Sequence, residues 1–397
     1  MGAIRGRDII VVGLQPWDTE IGSNCKNIAL EFSKYNRVLY VNSPLDRVTK
    51  MKHAAAAPIK KRLEILKHPE HNIEQIQENL WVYYPDTILE SINWIKIRAI
   101  FNVINKRNNR LFADAIKRAV SKLNFKDFIL FNDNDIFRSF YLKDLLKPAV
   151  SVYYSRDYLL GVDYWKYHGT KLEPELMAKS DVCVANSSYL ADICRSYNPK
   201  SFDVGQGCEL ELFLAADLAR IPEDVLPIQK PIIGYVGALQ SLRLDMNVIK
   251  HVALERPDWN VVLVGPEDED FKNSDLHTFK NIHFLGSKNP GELPAYIKSF
   301  DVCINPQILN EVTIGNYPRK IDEYLAVGKP VVATKTPAMR MFDAYCGLAE
   351  TPEEYVKFIQ IAIDTDSPTL AAQRIAFASQ HTWENSVEKI YDSILIF

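Results

Sequence analysis

The chain has 397 residues, more than a single hydrophobic core usually supports, so we expect two domains. Its 47 basic and 50 acidic residues leave a formal net charge of -3, which gives no general reason to expect a nucleic-acid partner. No apolar run is long enough to cross a bilayer, and the start lacks the apolar region of a signal peptide, so a cytoplasmic protein is expected.

The first 185 residues alternate between apolar runs of strand length and segments with helical periodicity. This alternation is typical of a parallel sheet covered by helices. The predicted strands are 9–12, 38–41, 80–84, 128–131, 150–154 and 182–185.

The segment 91–123 has a helical pattern that combines apolar and basic residues. Trp94, Ile97 and Ile100 stand beside cations such as Lys96 and Arg98. Two interpretations stay open for this segment. The helix packs on the first sheet, which we favour, or it lies on an anionic membrane surface, as basic amphipathic helices do.

Metal binding is not predicted. The triplet 133–135, Asp-Asn-Asp, has the spacing of a metal-binding Asp-x-Asp motif, but its place between a strand and an apolar helix favours helix capping. The six cysteines show neither Cys-x-x-Cys spacing nor a nearby pair of histidines, so buried thiols are favoured over a zinc or disulfide framework.

A stretch with three prolines, 221–231, is the predicted linker, and the alternation restarts after it. The second set of predicted strands is 232–236, 261–264, 283–285, 302–305 and 331–333. The sequence therefore predicts an α/β protein with two Rossmann-like domains. Such sheets bind ligands at the carboxyl ends of their strands.

A short helix is predicted between Pro318 and Gly328, just before the last of these strands. Its N-terminal amides would point outward from the sheet edge, where a phosphate could dock. Glu323 could accept hydrogen bonds from two vicinal hydroxyls of a ribose, and Lys320 could neutralise phosphate charge. The helix thus suits a nucleoside diphosphate. The alternative is an ordinary amphipathic helix with Lys320 and Glu323 as a solvated pair.

Residues near the ends of two other predicted strands fit the same ligand. Gly237 follows the strand 232–236 and would let the backbone approach a diphosphate closely. Arg243, shortly after it, could clamp the diphosphate oxygens through its planar guanidinium. Backbone groups near Gly286 and Ser287, after the strand 283–285, would read a base.

A series of short motifs runs in order from residue 231 to residue 335. It comprises Gly-Tyr-Val-Gly-Ala, Arg-Leu-Asp, Arg-Pro-Asp-Trp, Val-Gly-Pro, Phe-Leu-Gly, Glu-Leu-Pro-Ala-Tyr, Phe-Asp-Val, Asn-Glu-Val-Thr and Pro-x-Lys-x-x-Glu-Tyr-Leu-Ala-x-Gly-Lys-Pro-Val-Val. The series resembles the donor domain of family 4 glycosyltransferases of the GT-B fold. The nearest branch is the teichuronic-acid-biosynthesis-like group of bacterial polysaccharide enzymes.

The resemblance implies two Rossmann-like domains with parallel sheets facing across a cleft. An N-terminal acceptor domain would occupy 1–222 and a C-terminal nucleotide-sugar donor domain 231–380. The triplet His-Thr-Trp at 381–383 resembles a motif that closes the family's sequences. A last helix at 381–397 is therefore expected to cross back to the N-terminal domain.

The resemblance also implies a reaction. It is a retaining, metal-independent, hexosyltransferase-like transfer from a nucleotide diphosphate sugar to a saccharide or lipid-linked saccharide acceptor, in bacterial surface polysaccharide synthesis. The nucleotide sugar is the substrate and no cofactor is expected. Contact with the inner face of the cell membrane would fit the basic segment at 91–123.

Roles for particular residues follow from the same resemblance. Arg243 and Lys320 would stabilise the departing diphosphate, and Glu323 would hold the ribose. Gly22 lies in a loop that in relatives faces the diphosphate and the acceptor. Asp157, which follows the strand 150–154, either orients an acceptor hydroxyl or serves as a cap or turn residue.

One position departs from the family pattern. Many members carry a further glutamate, eight residues before the one that holds the ribose, which touches the donor sugar. Here that position is Gly315. We expect Glu311 and Thr313 to take part of its role.

Two other functions share this architecture. A nucleotide-sugar 2-epimerase is one, although the carboxylate and histidine set needed to abstract a C2 proton is not evident. The other is a non-catalytic scaffold that binds a sugar nucleotide, for which Gly315 is the best support.

Overall fold

The computed structural model describes residues 4–18, 23–52, 56–215, 221–311 and 313–396. It divides into two compact units: unit 1 is Met1–Gly205 together with Trp383–Phe397, and unit 2 is Gln206–Thr382. The division after Gly205 precedes the proline-rich stretch expected to be the linker. The reason is that Cys208, Leu210 and Phe213 already pack into the core of unit 2.

Unit 1 contains a large sheet with the strand order β10-β9-β8-β7-β1-β2-β5-β4 among the described residues. Its neighbours pair in parallel except for the antiparallel edge pair β4 and β5. Strands β3 and β6 pair separately. The strands are β1 (Asp8–Gly13), β2 (Arg37–Val41), β3 (Leu45–Asp46), β4 (Ile73–Gln77), β5 (Leu80–Tyr83), β6 (Ile88–Leu89), β7 (Ile129–Asp133), β8 (Val150–Ser155), β9 (Val182–Ala185) and β10 (Ser201–Asp203).

The central strand β1 shows why this sheet forms. Its residues are all buried, and alternate side chains enter different cores. Ile9 and Val11 join one apolar cluster, whereas Ile10 and Val12 join another on the opposite face. A continuous apolar run is therefore buried on both sides, as a parallel strand covered by two helix layers requires.

Helices cover both faces of this sheet. The helices of unit 1 that precede unit 2 in the chain are α1 (Asn24–Ser33), α2 (Arg47–Lys52), α3 (Ala57–Lys67), α4 (Arg98–Leu123), α5 (Leu142–Leu146), α6 (Asp163–Lys179) and α7 (Ser188–Arg195). Phe112 and Ile116 of α4 pack in the cluster that contains Ile10 of the sheet. The favoured interpretation of the basic segment, packing on the first sheet, is confirmed for this part of α4.

Unit 2 contains a sheet of the order β13-β12-β11-β14-β15-β16, with every adjacent pair of strands parallel in the part the structure describes. Its strands are β11 (Ile232–Val236), β12 (Asn260–Val264), β13 (Ile282–Gly286), β14 (Val302–Asn305), β15 (Val331–Thr334) and β16 (Cys346–Ala349). All strands predicted from the sequence are present. The sequence did not predict β3, β4, β6 and β10 of unit 1 or β16 of unit 2.

The helices of unit 2 are α8 (Glu211–Ala215), α9 (Met246–Glu255), α10 (Glu269–Lys272), α11 (Leu293–Ser299), α12 (Arg319–Ala326), α13 (Pro352–Thr365) and α14 (Pro368–Ala378). The last helix of the chain, α15 (Trp383–Leu395), belongs to unit 1 and packs against α1. Within the described ranges, none of the helices combines the length and the apolar character needed to span a membrane.

Candidate functional site

Glycines stand at the carboxyl ends of three neighbouring strands of the unit 2 sheet, which we call the glycine edge. Gly237, Gly265 and Gly286 end or directly follow β11, β12 and β13, with φ values of 142°, 148° and 69°. Gly237 N donates to Val264 O at 2.8 Å, and Gly265 N donates to Gly286 O at 2.9 Å. A β-carbon at Gly265 would stand 2.0 Å from Gly237 O. Close packing therefore requires glycine at Gly265, whereas a β-carbon at Gly286 would have no neighbour within 4 Å.

Lys320 lies directly against this edge. A β-carbon at Gly237 would stand 2.1 Å from Lys320 Cε and 2.9 Å from Lys320 Nζ. The ammonium group also lies 5.6 Å from the centroid of the Tyr235 ring. The structure thus brings together two residues that are 83 positions apart in the sequence and that were both predicted for the phosphate site.

Lys320 stands in the first turn of α12, which begins at Arg319. Pro318 precedes the helix and offers no side-chain cap to the first-turn amides. A helix start of this kind carries a partial positive charge. Two of its first amides already have acceptors, since Arg319 N donates to Tyr317 O at 3.2 Å and Ile321 N donates to Pro318 O at 2.9 Å. The glycine edge, the lysine and the helix start therefore combine the features of an anion site.

Glu323 follows one turn later on α12 and is half-buried. Burial raises the pKa of its carboxyl, and the positive charges of Lys320 and Arg319 act against that rise. Among the described residues, no hydrogen bond reaches its carboxylate. Glu323 is therefore an acceptor held close to two cations, as the binding of a ribose diol beside a diphosphate would require.

Two buried side chains hold α12 in place, and the sequence did not single them out. Tyr324 OH accepts a hydrogen bond from Val236 N at 2.9 Å, which ties the helix to β11. Asp322, fully buried, has Oδ1 2.6 Å from His381 Nδ1 and accepts from Cys208 Sγ at 3.3 Å. In the sequence, the place of His381 in the closing His-Thr-Trp motif was a signal that could have drawn attention to its contact with Asp322. These bonds orient the face that carries Lys320 and Glu323.

Arg243 lies in the loop that follows β11 and is exposed. Its carbonyl accepts from Ile308 N at 2.9 Å, and Leu244 bridges to Gln307, so this loop is fastened to the loop after β14. In the described part of the chain, the Arg243 guanidinium makes no hydrogen bond or ion pair. Ser287, directly after β13, is exposed at the same sheet edge.

The loop that was expected to take over the role of the family's glutamate uses one of its two candidate side chains for its own conformation. Thr313 is buried, its hydroxyl donates to Ile308 O, and the same hydroxyl accepts from Asn310 N at 3.1 Å. Thr313 therefore shapes its own loop. Glu311 is exposed on that loop, and Gly315 is buried.

Asp157 belongs to unit 1 and is the second residue after the carboxyl end of β8. Its Oδ2 lies 3.3 Å from Arg156 Nη1, while Arg156 Nε lies 2.8 Å from Asp133 Oδ1. Half of the Asp157 side chain is exposed, whereas Asp133 is fully buried. Burial raises the pKa of Asp133 and the Arg156 charge opposes this. Arg156, which is itself paired with the buried Asp133, therefore holds Asp157 at the sheet edge.

The triplet 133–135 has two structural uses. Asp133 pairs with Arg156, and Asp135 Oδ1 accepts from Arg138 N at 3.1 Å while its Oδ2 accepts from Arg138 Nε at 2.9 Å. Asp135 thus caps the following turn, as the sequence favoured. Gly22, predicted in the neighbouring loop, lies outside the described residues.

Unit 1 also contains a pocket of about 810 Å³ beyond the carboxyl ends of β1 and β7. Aromatic side chains form much of its wall, and polar groups stand among them. The lining includes the aromatic residues Trp94, Phe137, Tyr164 and Trp165 and the charged residues Asp46 and Arg138. Aromatic walls with a few placed polar groups are typical of small-ligand sites.

Residues 230–363 match the family model described as Glycosyl transferases group 1. They contain the glycine edge, Arg243, Lys320 and Glu323. A protein of Bacillus subtilis (strain 168), named as the teichuronic acid biosynthesis glycosyltransferase TuaH, is 30% identical over 172 residues. That alignment covers 42% of this chain and 43% of the relative, so this chain spans less than half of the relative's length.

Solved structures are similar over almost the whole chain. HepE of Anabaena in complex with UDP has a TM-score of 0.67 at 14% identity, with 98% of this chain and 100% of that chain covered. Sucrose-phosphate synthase of Thermosynechococcus elongatus has a TM-score of 0.64 at 13% identity, with the same coverage. These are GT-B structures, so the predicted fold class, α/β with two Rossmann-like domains, is confirmed.

Proposed function

We propose that this protein is a glycosyltransferase that moves a sugar from a nucleoside diphosphate donor to a saccharide or lipid-linked saccharide. The observation that carries the proposal is the contact of Lys320 with the Gly237 backbone, with Glu323 one turn further along α12. These groups lie in the region that matches the glycosyltransferase family model. The likeness to TuaH supports a role in bacterial surface polysaccharide synthesis.

The donor is proposed to bind along the carboxyl edge of the unit 2 sheet. Its diphosphate would lie over Gly237, near Lys320 and the start of α12, and Glu323 would accept hydrogen bonds from the ribose hydroxyls. Backbone groups at Gly286 and Ser287 would contact the base. Because HepE was solved with UDP, a uridine nucleotide is the first donor to test.

The chemical step requires stabilisation of negative charge on the departing diphosphate. Lys320, Arg243 and the amides at the start of α12 supply positive potential where that charge grows. We propose that they suffice without a metal ion. In the proposed retaining reaction, the acceptor hydroxyl attacks the anomeric carbon on the face that the diphosphate leaves. The oxygen–carbon bond to the diphosphate breaks, and the hydroxyl proton passes to the leaving phosphate oxygen.

The acceptor is proposed to bind unit 1. Asp157, held by Arg156, would orient the acceptor hydroxyl. The aromatic pocket beside Trp94, which Asp157 does not line, would hold a more distant part of the saccharide. Since the acceptor is proposed to be carried on a lipid, the protein would act at the inner face of the cell membrane.

The test measures free nucleoside diphosphate after incubation with a panel of UDP-sugars, with and without a lipid-linked saccharide. Acceptor-dependent release with Lys320 intact, and loss of release in Lys320→Ala, is the expected result. Lys357→Ala, an exposed lysine on α13, serves as the matched control. Interconversion of sugar epimers without release would instead identify an epimerase.

A second candidate is a scaffold that binds the sugar nucleotide without turnover. It is favoured by Gly315, which replaces the glutamate, and by the commitment of the Thr313 hydroxyl to its own loop. Tight binding of UDP-sugars, combined with no release under any acceptor condition, would support the scaffold.

A further inference from the structure

Three segments of unit 1 join to form one surface beside the aromatic pocket. They are α2, the stretch 91–110 that includes the first half of α4, and the start of α6. Ser91 Oγ donates to Asp46 Oδ1 at 2.5 Å, just before α2, and Arg47 pairs with Glu90 at 2.7 Å. Tyr167 OH of α6 donates to Lys96 O at 2.9 Å. We name this combined face the Trp94 surface.

Large apolar side chains are exposed on the Trp94 surface. On α4 and just before it, Ile97, Ile100 and Val103 are spaced by three residues and so lie on one helix face. The exposed fractions are Met51 78%, Trp94 71%, Val103 71%, Ile97 62%, Tyr164 61% and Ile100 47%. Apolar side chains grouped in this way mark an interaction site more often than scattered ones do.

Positive charge surrounds this apolar stripe. The segment 91–123 contains eight lysines and arginines against one acidic residue, Asp114. Arg110 continues the face of Ile100 and Val103 along α4. Within the described ranges, the side chains of Lys50, Lys52, Arg98, Lys106 and Arg110 make no ion pair, so their charge is available to a partner.

The combination indicates the chemistry of the partner. A protein partner with an apolar groove would leave the uncompensated cations without a role, whereas an anionic bilayer uses both features. Trp94, Tyr164 and Tyr167 suit the boundary between acyl chains and headgroups. Lysine and arginine can extend from a buried apolar stem to anionic headgroups.

We infer that the Trp94 surface docks on an anionic lipid bilayer, with the apolar stripe of α4 inserted at the headgroup boundary. Trp94 and Tyr164 belong both to this surface and to the wall of the 810 Å³ pocket. A saccharide carried on a membrane lipid could therefore enter the pocket while its lipid stays in the bilayer. This last step rests on the proposed acceptor, whereas the docking itself does not.

The experiment is co-sedimentation of the full chain with vesicles. One set is phosphatidylcholine alone, and the other is an equal mixture of phosphatidylcholine and phosphatidylglycerol. The protein is expected to bind the mixed vesicles at low salt, to be released at high salt, and to stay in solution with phosphatidylcholine alone. Failure to bind the mixed vesicles would overturn the inference.

Two double variants locate the surface. Arg98→Glu with Arg110→Glu, and Ile97→Ser with Val103→Ser, should each weaken binding to mixed vesicles by roughly tenfold or more. The matched controls lie on unit 2: Lys280→Glu with Lys357→Glu for charge, and Leu254→Ser, 56% exposed, for apolar area. Circular dichroism and thermal melting confirm that each variant is folded. Equal losses in controls and surface variants would contradict a defined docking surface.

The docking and the proposed function can fail separately. Nucleoside diphosphate release with a soluble saccharide acceptor, without vesicles, should be unchanged in the Arg98→Glu, Arg110→Glu variant. Vesicle binding without any turnover would overturn the glycosyltransferase proposal alone. Turnover without vesicle binding would overturn the docking alone.

Discussion

Lys320 lies where a side chain at position 237 would have to be, with its Cε 2.1 Å from the place of a β-carbon on Gly237. The glycine therefore serves two purposes: it adopts a φ of 142°, and it leaves room for the lysine to extend along the sheet edge. An anion bound at this edge would meet the positive end of α12 and an ammonium group together. The predictions for the donor site follow from this contact.

Gly237→Ala should weaken UDP binding and lower stability. The methyl group would displace Lys320, and the positive φ adds strain of about 1 to 3 kcal/mol. Isothermal titration with UDP measures the first effect and thermal unfolding the second. Gly291→Ala is the control, because a β-carbon at Gly291 would have no neighbour within 4 Å. Unchanged UDP affinity in Gly237→Ala would contradict the placement of the diphosphate.

Lys320→Ala and Arg243→Ala should each reduce donor affinity and slow transfer. Each removes a charge-assisted phosphate contact worth roughly 1.5 to 3 kcal/mol. Lys320→Arg should recover part of the loss, since it keeps the charge but changes its geometry. Steady-state kinetics with the best UDP-sugar give the comparison, with Lys357→Ala alongside. If both variants match the unmodified protein, neither side chain binds phosphate.

Glu323→Gln should impair donor binding less than Glu323→Ala, because the amide keeps one acceptor for the ribose. Protonation turns one of the two carboxylate oxygens into a hydroxyl donor and leaves one good acceptor for the ribose diol, so affinity should fall as the pH falls. Burial raises the pKa of Glu323. The loss of UDP affinity should therefore begin at a pH above about 4.3, the ordinary pKa of a glutamate. UDP titrations across pH check this, and the acid loss should disappear in Glu323→Gln. Equal losses of UDP affinity in Glu323→Gln and Glu323→Ala would indicate that the charge of the carboxylate matters, and not its number of acceptor oxygens.

Much of the fold was predictable because it is encoded locally. Strands β11, β12 and β14 are made mostly of buried apolar residues, interrupted only at one end by Asn260 in β12 and Asn305 in β14, and such runs are visible in a sequence. Strand β10 has three residues, two of them polar, and β16 is mostly half-buried and contains a glycine. Neither carries a periodic signal of useful length, so both were missed.

The candidate site was predictable where its parts share one helix or one sheet edge. Lys320 and Glu323 are one turn apart, and parallel topology brings Gly237 to the same edge. Asp322 and His381 are 59 residues apart, and only the packing of α12 shows that they meet. The hydrogen bond of Thr313 to Ile308 O likewise depends on a loop conformation that composition does not reveal.

Asp322→Ala should destabilise unit 2 and weaken donor binding. The carboxylate is fully buried and interacts with both His381 and Cys208, so its removal should cost roughly 1.5 to 3 kcal/mol. The start of α12 would lose its orientation, and UDP affinity should fall although Asp322 need not touch the ligand. Asp343→Ala, an exposed carboxylate in the same unit, is the control. Normal UDP affinity in a folded Asp322→Ala protein would show that this contact does not position the site.

Asp157→Asn should separate acceptor chemistry from donor binding. Asp157 belongs to unit 1 and is held by Arg156, whereas the proposed donor groups all lie in unit 2. The variant keeps the shape of the side chain but removes its charge, so it should lower kcat with a saccharide acceptor and leave the Kd for UDP unchanged. Arg156→Lys should give a smaller loss of the same kind, because a single ammonium cannot contact Asp133 and Asp157 in the geometry of a guanidinium. An unchanged kcat together with an unchanged UDP affinity would assign Asp157 to turn structure alone.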